Sequence, residues 1–188
     1  MTIAAKPIRP GELKRLSLDG ARSPMFPIEV ERLAEAVLHR ARDKGLTLAT
    51  AESCTGGLVA AALTGIAGSS DVFERGFVTY ANAAKMQMLG VPAATLDAEG
   101  AVSEATARAM AEGAIAASSA GFAVAITGIA GPGGGSADKP VGLVWFALAE
   151  RGGPTSAREM RYGDLGRGQV RLASVRTALD MLFGGLNA

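Results

Sequence analysis

Hydrophobic residues along this chain change period several times, and each change marks an element. From Ile28 onward, Ile28, Leu33, Val37, Leu38 and Ala41 share one face at helical spacing, and Lys44-Gly45 offers a stop. Residues 46–51 are short, apolar and Thr-containing, which predicts a buried strand. The turn Glu52-Ser53-Cys54-Thr55-Gly56-Gly57 follows, and 58–63 continues as a small-residue helix ended by Gly65 and Gly68. Residues 76–80 predict a second strand. Asn82 is placed to cap a helix running through Lys85, Met86 and Leu89 to Gly90. Ser103 caps a longer, alanine-rich helix ending near Gly121. The near-continuous apolar run 122–127 suits a central strand covered on both faces. A fourth strand at 141–149 turns at Gly152-Gly153-Pro154 and pairs back through 156–162 as a hairpin. A final helix at 168–183 takes its apolar face from Val170, Ala173, Val175, Leu179 and Leu182.

That order is α-β-α-β-α-α-β-β-β-α. Early strands alternate with helices, which gives parallel crossovers, and a hairpin comes late. The expected fold class is α/β: a three-layer α/β/α sandwich with a mixed, mostly parallel sheet of about five strands. Residues 1–27 carry Pro7, Pro10, Pro24 and Pro27 without sustained periodicity and predict an N-terminal arm, partly disordered. Residues 28–188 predict a single domain.

Composition narrows the function classes. Apolar residues make up 48% of the chain and charged residues 20%, a globular balance. Formal net charge is only +1, with both signs interspersed beyond a mildly basic arm, so nucleic acid is not an expected partner. No apolar run is long enough for a bilayer, and no secretory h-region opens the chain. One cysteine, Cys54, rules out an intrachain disulfide and fits a cytoplasmic location. One histidine, His39, falls on the first helix. With no His/Cys cluster, a zinc amidohydrolase is not expected, and His39 has no motif that would make it a triad base. Acyl chemistry on this chain therefore needs another base.

Three segments follow predicted strands, the edge at which open α/β sheets bind ligands. In the first, Ser53 at a strand-to-helix turn suits a nucleophile or an anion site. Either Ser53 or Thr55 serves equally well as a plain helix cap, and taken alone the turn favours the cap. Cys54 is a further nucleophile candidate, although lone cysteines are more often buried and inert. In the second, Lys85 falls in the first turn of a helix, where the dipole disfavours a cation, and a readily deprotonated lysine acts as a base. Tyr80, at the strand end, is placed to relay a proton. Without the other segments, Lys85 reads as a surface residue and Tyr80 as half-buried. In the third, the glycines from Gly128 to Gly135 let main-chain N–H groups approach a phosphate. No Gly-Lys-Ser/Thr follows, and no Gly-x-Gly-x-x-Gly opens a helix, so the loop is neither a Walker motif nor a dinucleotide fingerprint. Arg75 is a further phosphate candidate, or half of a surface pair with Glu74.

Taken together these stretches resemble the CinA C-terminal-domain family, in its stand-alone form. The matching segments are Ala51-Glu52-Ser53-Cys54-Thr55-Gly56-Gly57, Phe73-Glu74-Arg75-Gly76-Phe77-Val78-Thr79-Tyr80 and Thr127-Gly128-Ile129-Ala130-Gly131-Pro132. Gly134-Gly135-Ser136 and Lys139-Pro140-Val141-Gly142 extend the last, and the likeness covers about residues 30–183. The resemblance implies an amidohydrolase that deamidates nicotinamide mononucleotide to nicotinate mononucleotide and ammonia in pyridine nucleotide recycling, without metal or cofactor. It maps catalytic roles onto Ser53, Tyr80 and Lys85. Substrate contacts are expected from Glu52, Thr55, Gly56 and Gly57 in the first turn, and from Arg75 and Asn82 around the second strand. Thr127, Gly128, Ala130, Gly131, Gly133 and Gly134 in the third complete the set. The expected partners are a small-molecule nucleotide and, from the resemblance and the apolar final helix, a second copy in a homodimer, with neither nucleic acid nor membrane. The rival readings are a non-catalytic nucleotide-binding module, with Lys85 as a permanent cation, and an interaction module in competence or DNA-damage responses.

Overall fold

The computed structural model describes residues 25–187, so the arm expected at 1–27 lies almost wholly outside the described residues. The elements in chain order are α1 (Ile28–Asp43), β1 (Leu48–Glu52), α2 (Leu58–Thr64), a 3-10 turn at Ser69–Asp71, β2 (Phe73–Val78), α3 (Asn82–Leu89), α4 (Ala93–Glu99), α5 (Glu104–Ala116), β3 (Phe122–Gly128), β4 (Leu143–Glu150), β5 (Thr155–Arg161) and α6 (Arg167–Gly185). The five strands form one sheet in the order β2-β1-β3-β4-β5. β1 pairs in parallel with β2 and β3, and the two later pairings, β3 with β4 and β4 with β5, are antiparallel. Pairings are thus evenly split, although every strand except β4 runs the same way. The expected α/β/α sandwich is the fold observed.

Side-chain size decides which helices cover which face. Along β3, Phe122, Val124 and Ile126 point to one side and pack with Leu48, Leu63, Leu179 and Leu182 beneath α1, α2 and α6. Ala123 and Ala125 point to the other and meet Ala49, Ala51, Ala107 and Ala111 beneath α5. Large aliphatics there contribute about 1.5–3 kcal/mol each on burial. The alanine face contributes less per residue but lets α5 approach the sheet closely. At Gly113 a side chain would collide with the main-chain carbonyl of Leu89, so α3 also packs tightly against α5.

Several expectations shift. Ile28 is exposed, and Val30 and Ala34 join Val37, Leu38 and Ala41 on the buried face of α1. The helix α4 between Pro92 and Gly100 was not expected; its seven residues are too few to show a period. β2 begins at Phe73, so Arg75 lies inside a strand rather than before it. Ser103 does cap α5, its side chain accepting the Thr106 N–H, but the helix stops at Ala116. Val170, Val175, Leu179 and Leu182 of α6 are buried in the chain's own core, so that helix gives no separate argument for a homodimer. Among the described residues no helix is long and apolar enough to cross a membrane.

Candidate active site

β1 ends in Glu52 and hands the chain to a five-residue turn before α2. Gly56 and Gly57 both sit at positive φ, 59° and 93°, a sharp reversal that a side chain would strain. Glu52 is fully buried, yet its carboxylate is satisfied. One oxygen accepts the N–H groups of Gly57 and Val59 at 3.0 and 3.1 Å, and the other accepts Ala60 at 2.8 Å. A negative group at the start of α2 complements the helix dipole and takes its first free donors. Glu52 therefore fastens the turn from below and has no face toward a ligand.

Ser53, nearly buried, sits at the top of this turn. Lys85 reaches it from α3: Nζ lies 3.1 Å from Ser53 Oγ, 2.8 Å from the Thr79 carbonyl oxygen and 3.5 Å from that of Tyr80. Long helical side chains fold back toward the N-terminus, which lets Lys85 reach the carbonyls ahead of its own helix. Lys85 is 1% exposed and pairs with no carboxylate among the described residues. Burial pushes its pKa below the ordinary 10.5, only partly opposed by the nearby Cys54. A serine hydroxyl and an amine whose burial eases loss of its proton thus stand in hydrogen-bond contact across 32 residues of sequence. Cys54 is no competitor: burial pushes its thiol up to about 11, so it stays protonated. Thr55 is fully buried and its Oγ1 has no hydrogen-bond partner among the described residues, so no base stands beside it.

Other expected residues divide. Tyr80 is 60% exposed, and its hydroxyl accepts from Arg167 Nη2 at 2.8 Å; that hydroxyl hydrogen-bonds neither Ser53 Oγ nor Lys85 Nζ, which only the Tyr80 carbonyl meets. Asn82 is the first residue of α3 rather than its cap; Ala81 takes that position, without a side-chain hydrogen bond. The N–H groups of Asn82, Ala83 and Ala84 consequently have no acceptor among the described residues. Gly56 and Gly57 offer no donor to a substrate, because their N–H groups go to the Ser53 carbonyl and to Glu52. Arg75 is a correction: it binds Glu74 and the Ala117 carbonyl near the foot of the sheet, away from the carboxyl ends of the strands. Thr127 is buried and donates to the Ala101 carbonyl, tying β3 to the segment before α5. Beyond it the N–H groups of Ala130, Gly131, Gly133 and Gly134 are unpaired among the described residues, and Gly133 faces open space. Gly128, the last residue of β3, passes so close to Leu143 and Val144 that no side chain fits.

Two residues that organise the site were not expected. Arg167 and Arg171 lie one turn apart on α6 and so point the same way. Arg167 donates to Tyr80 and, through Nη1 at 3.0 Å, to the Gly131 carbonyl, joining the second and third segments. Arg171 donates from Nε to Cys54 and from Nη2 to Thr55, gripping two successive carbonyls of the first. Two cations opening a helix, where the dipole disfavours them, were the available sequence signal.

A cleft of about 500 Å³ between α5, β4 and β5, lined by Ser103, Arg108, Trp145 and Arg161 among others, does not include the Ser53–Lys85 pair. The pair lies instead at the carboxyl ends of β1 and β2. No group of three or more metal-ligating side chains occurs among the described residues.

A three-layer α/β/α sandwich that seats a serine against a buried, unpaired lysine at the strand-to-helix edge has the arrangement of a lysine-activated hydroxyl site. The chain belongs to the family described as the CinA C-terminal domain, whose model matches residues 30–186. It is 53% identical over 160 residues to the nicotinamide-nucleotide amidohydrolase PncC of Escherichia coli (strain K12), covering 85% of this chain and 96% of that protein. It is likewise 53% identical over 158 residues to a CinA-like protein of Synechococcus sp. (strain RCC307), but spans only 38% of that longer relative. The structure of the competence/damage inducible protein CihA from Agrobacterium tumefaciens superposes with a TM-score of 0.86 at 59% identity, covering 88% of this chain and 99% of that one.

Proposed function

We propose that this chain is a nicotinamide-nucleotide amidohydrolase, converting nicotinamide mononucleotide and water to nicotinate mononucleotide and ammonia. The observation that carries the reading is the 3.1 Å contact between Ser53 and a lysine buried without a counter-ion among the described residues. The likeness to PncC over nearly its whole length supports the substrate. A neutral amine has two N–H donors and one lone pair. With the donors on the Thr79 and Tyr80 carbonyls, the lone pair is left for the Ser53 hydroxyl.

Ser53 Oγ bonds to the carboxamide carbon as its proton passes to Lys85. The tetrahedral oxyanion is met by the uncapped first-turn N–H groups of α3. Lys85 returns the proton to nitrogen, ammonia leaves, and Ser53 holds a nicotinyl ester. Water, deprotonated by Lys85, releases the acid and restores the hydroxyl. The free main-chain donors of residues 130–134, with Arg167 beside them, are suited to the 5′-phosphate, whose remote binding orients the amide. Tyr80, held by Arg167, belongs in this reading to the wall of the site rather than to the proton path. A permanent phosphate-binding cation at position 85 fits poorly with a side chain 1% exposed and turned onto carbonyls.

Because the base is an amine, the chemistry calls for no metal. The cytoplasmic location and the homodimer belong to the same proposal. Exposed Val78, Met86 and Met88 near β2 and α3 favour a second copy, which sedimentation would test.

Purified protein mixed with nicotinamide mononucleotide should release ammonia at a rate insensitive to chelator. Ser53→Ala should lower kcat by about 10,000-fold or more while substrate still binds. Hydroxylamine should trap the hydroxamate of nicotinate mononucleotide from the wild type. Full activity in Ser53→Ala removes the nucleophile; absence of the hydroxamate favours direct attack by water; loss with chelator overturns the metal-free claim.

A further inference from the structure

The turn that carries Ser53 is held on both of its polar edges. Below, Glu52 takes the N–H groups of Gly57, Val59 and Ala60. Above, Arg171 takes the carbonyl oxygens of Cys54 and Thr55, at 3.1 and 2.8 Å. These carbonyls belong to the two residues directly after Ser53, and the guanidinium comes from α6, more than a hundred residues away. Arg171 has no carboxylate partner among the described residues, so these two carbonyls are its principal contacts. The guanidinium lies directly against the turn: a Cβ at Gly56 would stand 3.4 Å from Arg171 Nη2, in ordinary contact with it. A planar fork bridging two successive peptides fixes both peptide planes, and with them the direction in which the preceding Ser53 side chain leaves the chain.

We propose, resting on the deamidase reading, that Arg171 is a positioning residue for catalysis: by gripping Cys54 and Thr55 it holds Ser53 Oγ in line with Lys85. It touches no reacting atom. Without it the turn keeps its Glu52 anchor and the fold keeps its core, but the hydroxyl is free to swing away from the amine. Displacement of a nucleophile by about 1 Å costs on the order of 100-fold in rate.

The test compares Arg171→Met, Arg171→Lys, Arg171→Ala and Ser53→Ala with wild type, all shown folded by circular dichroism and thermal melting. Arg171→Met should lose about 100-fold in kcat with KM changed less than about 3-fold. Arg171→Lys, able to hold one carbonyl at a time, should fall between. Phenylmethanesulfonyl fluoride, which carries no phosphate, should label Ser53 more slowly in Arg171→Met by a similar factor. Added guanidinium at low millimolar concentration should restore part of the rate in Arg171→Ala and none in Ser53→Ala. If Arg171→Met does not fold, Arg171→Lys and the guanidinium rescue decide the matter. A folded variant with near-wild-type kcat, or a loss confined to KM, overturns the positioning role. An active Ser53→Ala overturns the deamidase nucleophile instead, so the two failures are told apart.

Discussion

The turn after β1 and the loop after β3 both end parallel strands at the same edge of the sheet, and their main chains are treated in opposite ways. In residues 53–57 most polar groups are taken. The Ser53 N–H goes to Ile126, carbonyls go to Arg171, and amides go to Glu52 and Ser53. In residues 130–134 the amides are free among the described residues, and Gly133 faces open space. A nucleophile needs one fixed direction, which comes from satisfying its surroundings. An anion site needs donors that nothing inside the protein has claimed. The contrast separates a rigid reacting half from a receptive binding half, and α6 spans both through Arg171 and Arg167.

The largest break should come from the rigid half. Lys85→Met should lower kcat by about 1,000-fold with little change in KM, measured by ammonia release. In the wild type, kcat/KM should rise with pH to a plateau whose midpoint lies below 10.5, as Lys85 gives up its proton. Stability carries the same signature. The folded amine has the lower pKa, so between the folded value and the unfolded 10.5 the unfolded chain binds more protons. Stability gained from the neutral form is therefore absent below the folded pKa and complete only above 10.5. Lys85→Met should melt higher than wild type at neutral pH, and that advantage should shrink as pH approaches 10.5. An advantage that grows with pH would show that the amine is held charged.

The receptive half should fail differently. At Gly131, with φ at 79°, a Cβ would stand 2.7 Å from Val141, so Gly131→Ala must displace the loop. KM for nicotinamide mononucleotide should rise about 10-fold, close to 1.4 kcal/mol, with kcat nearly unchanged. Slow turnover of the phosphate-free riboside should not change; if it falls in parallel, the loop does not grip the phosphate. Smaller still is Thr50→Val. Thr50 Oγ1 is buried on the α2 side of β1 without a partner, and removing an unsatisfied hydroxyl should raise stability by about 1 kcal/mol, read as roughly 3 °C in Tm. Arg75→Ala should leave both kinetic constants at wild-type values, because Arg75 binds Glu74 and Ala117 near the far end of the strands. A raised KM there would return it to the phosphate site.

What could be read from the chain alone is what short windows encode. The near-continuous apolar run 122–127 marked β3 as a central strand, and Gly56-Gly57 after Glu52 marked a tight turn before a helix. Ser53 and Lys85 stood out as candidates from local position: a hydroxyl at a strand end and a cation where a helix dipole opposes it. Their meeting was expected from the family resemblance and not from local pattern, because it depends on β2 lying beside β1 and on α3 covering that edge. Glu52 looked ligand-facing in sequence, and only the packing of α2 over β1 turned its carboxylate inward. Arg167 and Arg171 joined the site only once α6 had folded back across the sheet. Periodicity and turn chemistry are properties of a few consecutive residues. Which side chains meet across the molecule is set by the order of strands and the stacking of layers, where burial and hydrogen bonding are settled among groups that sequence keeps far apart.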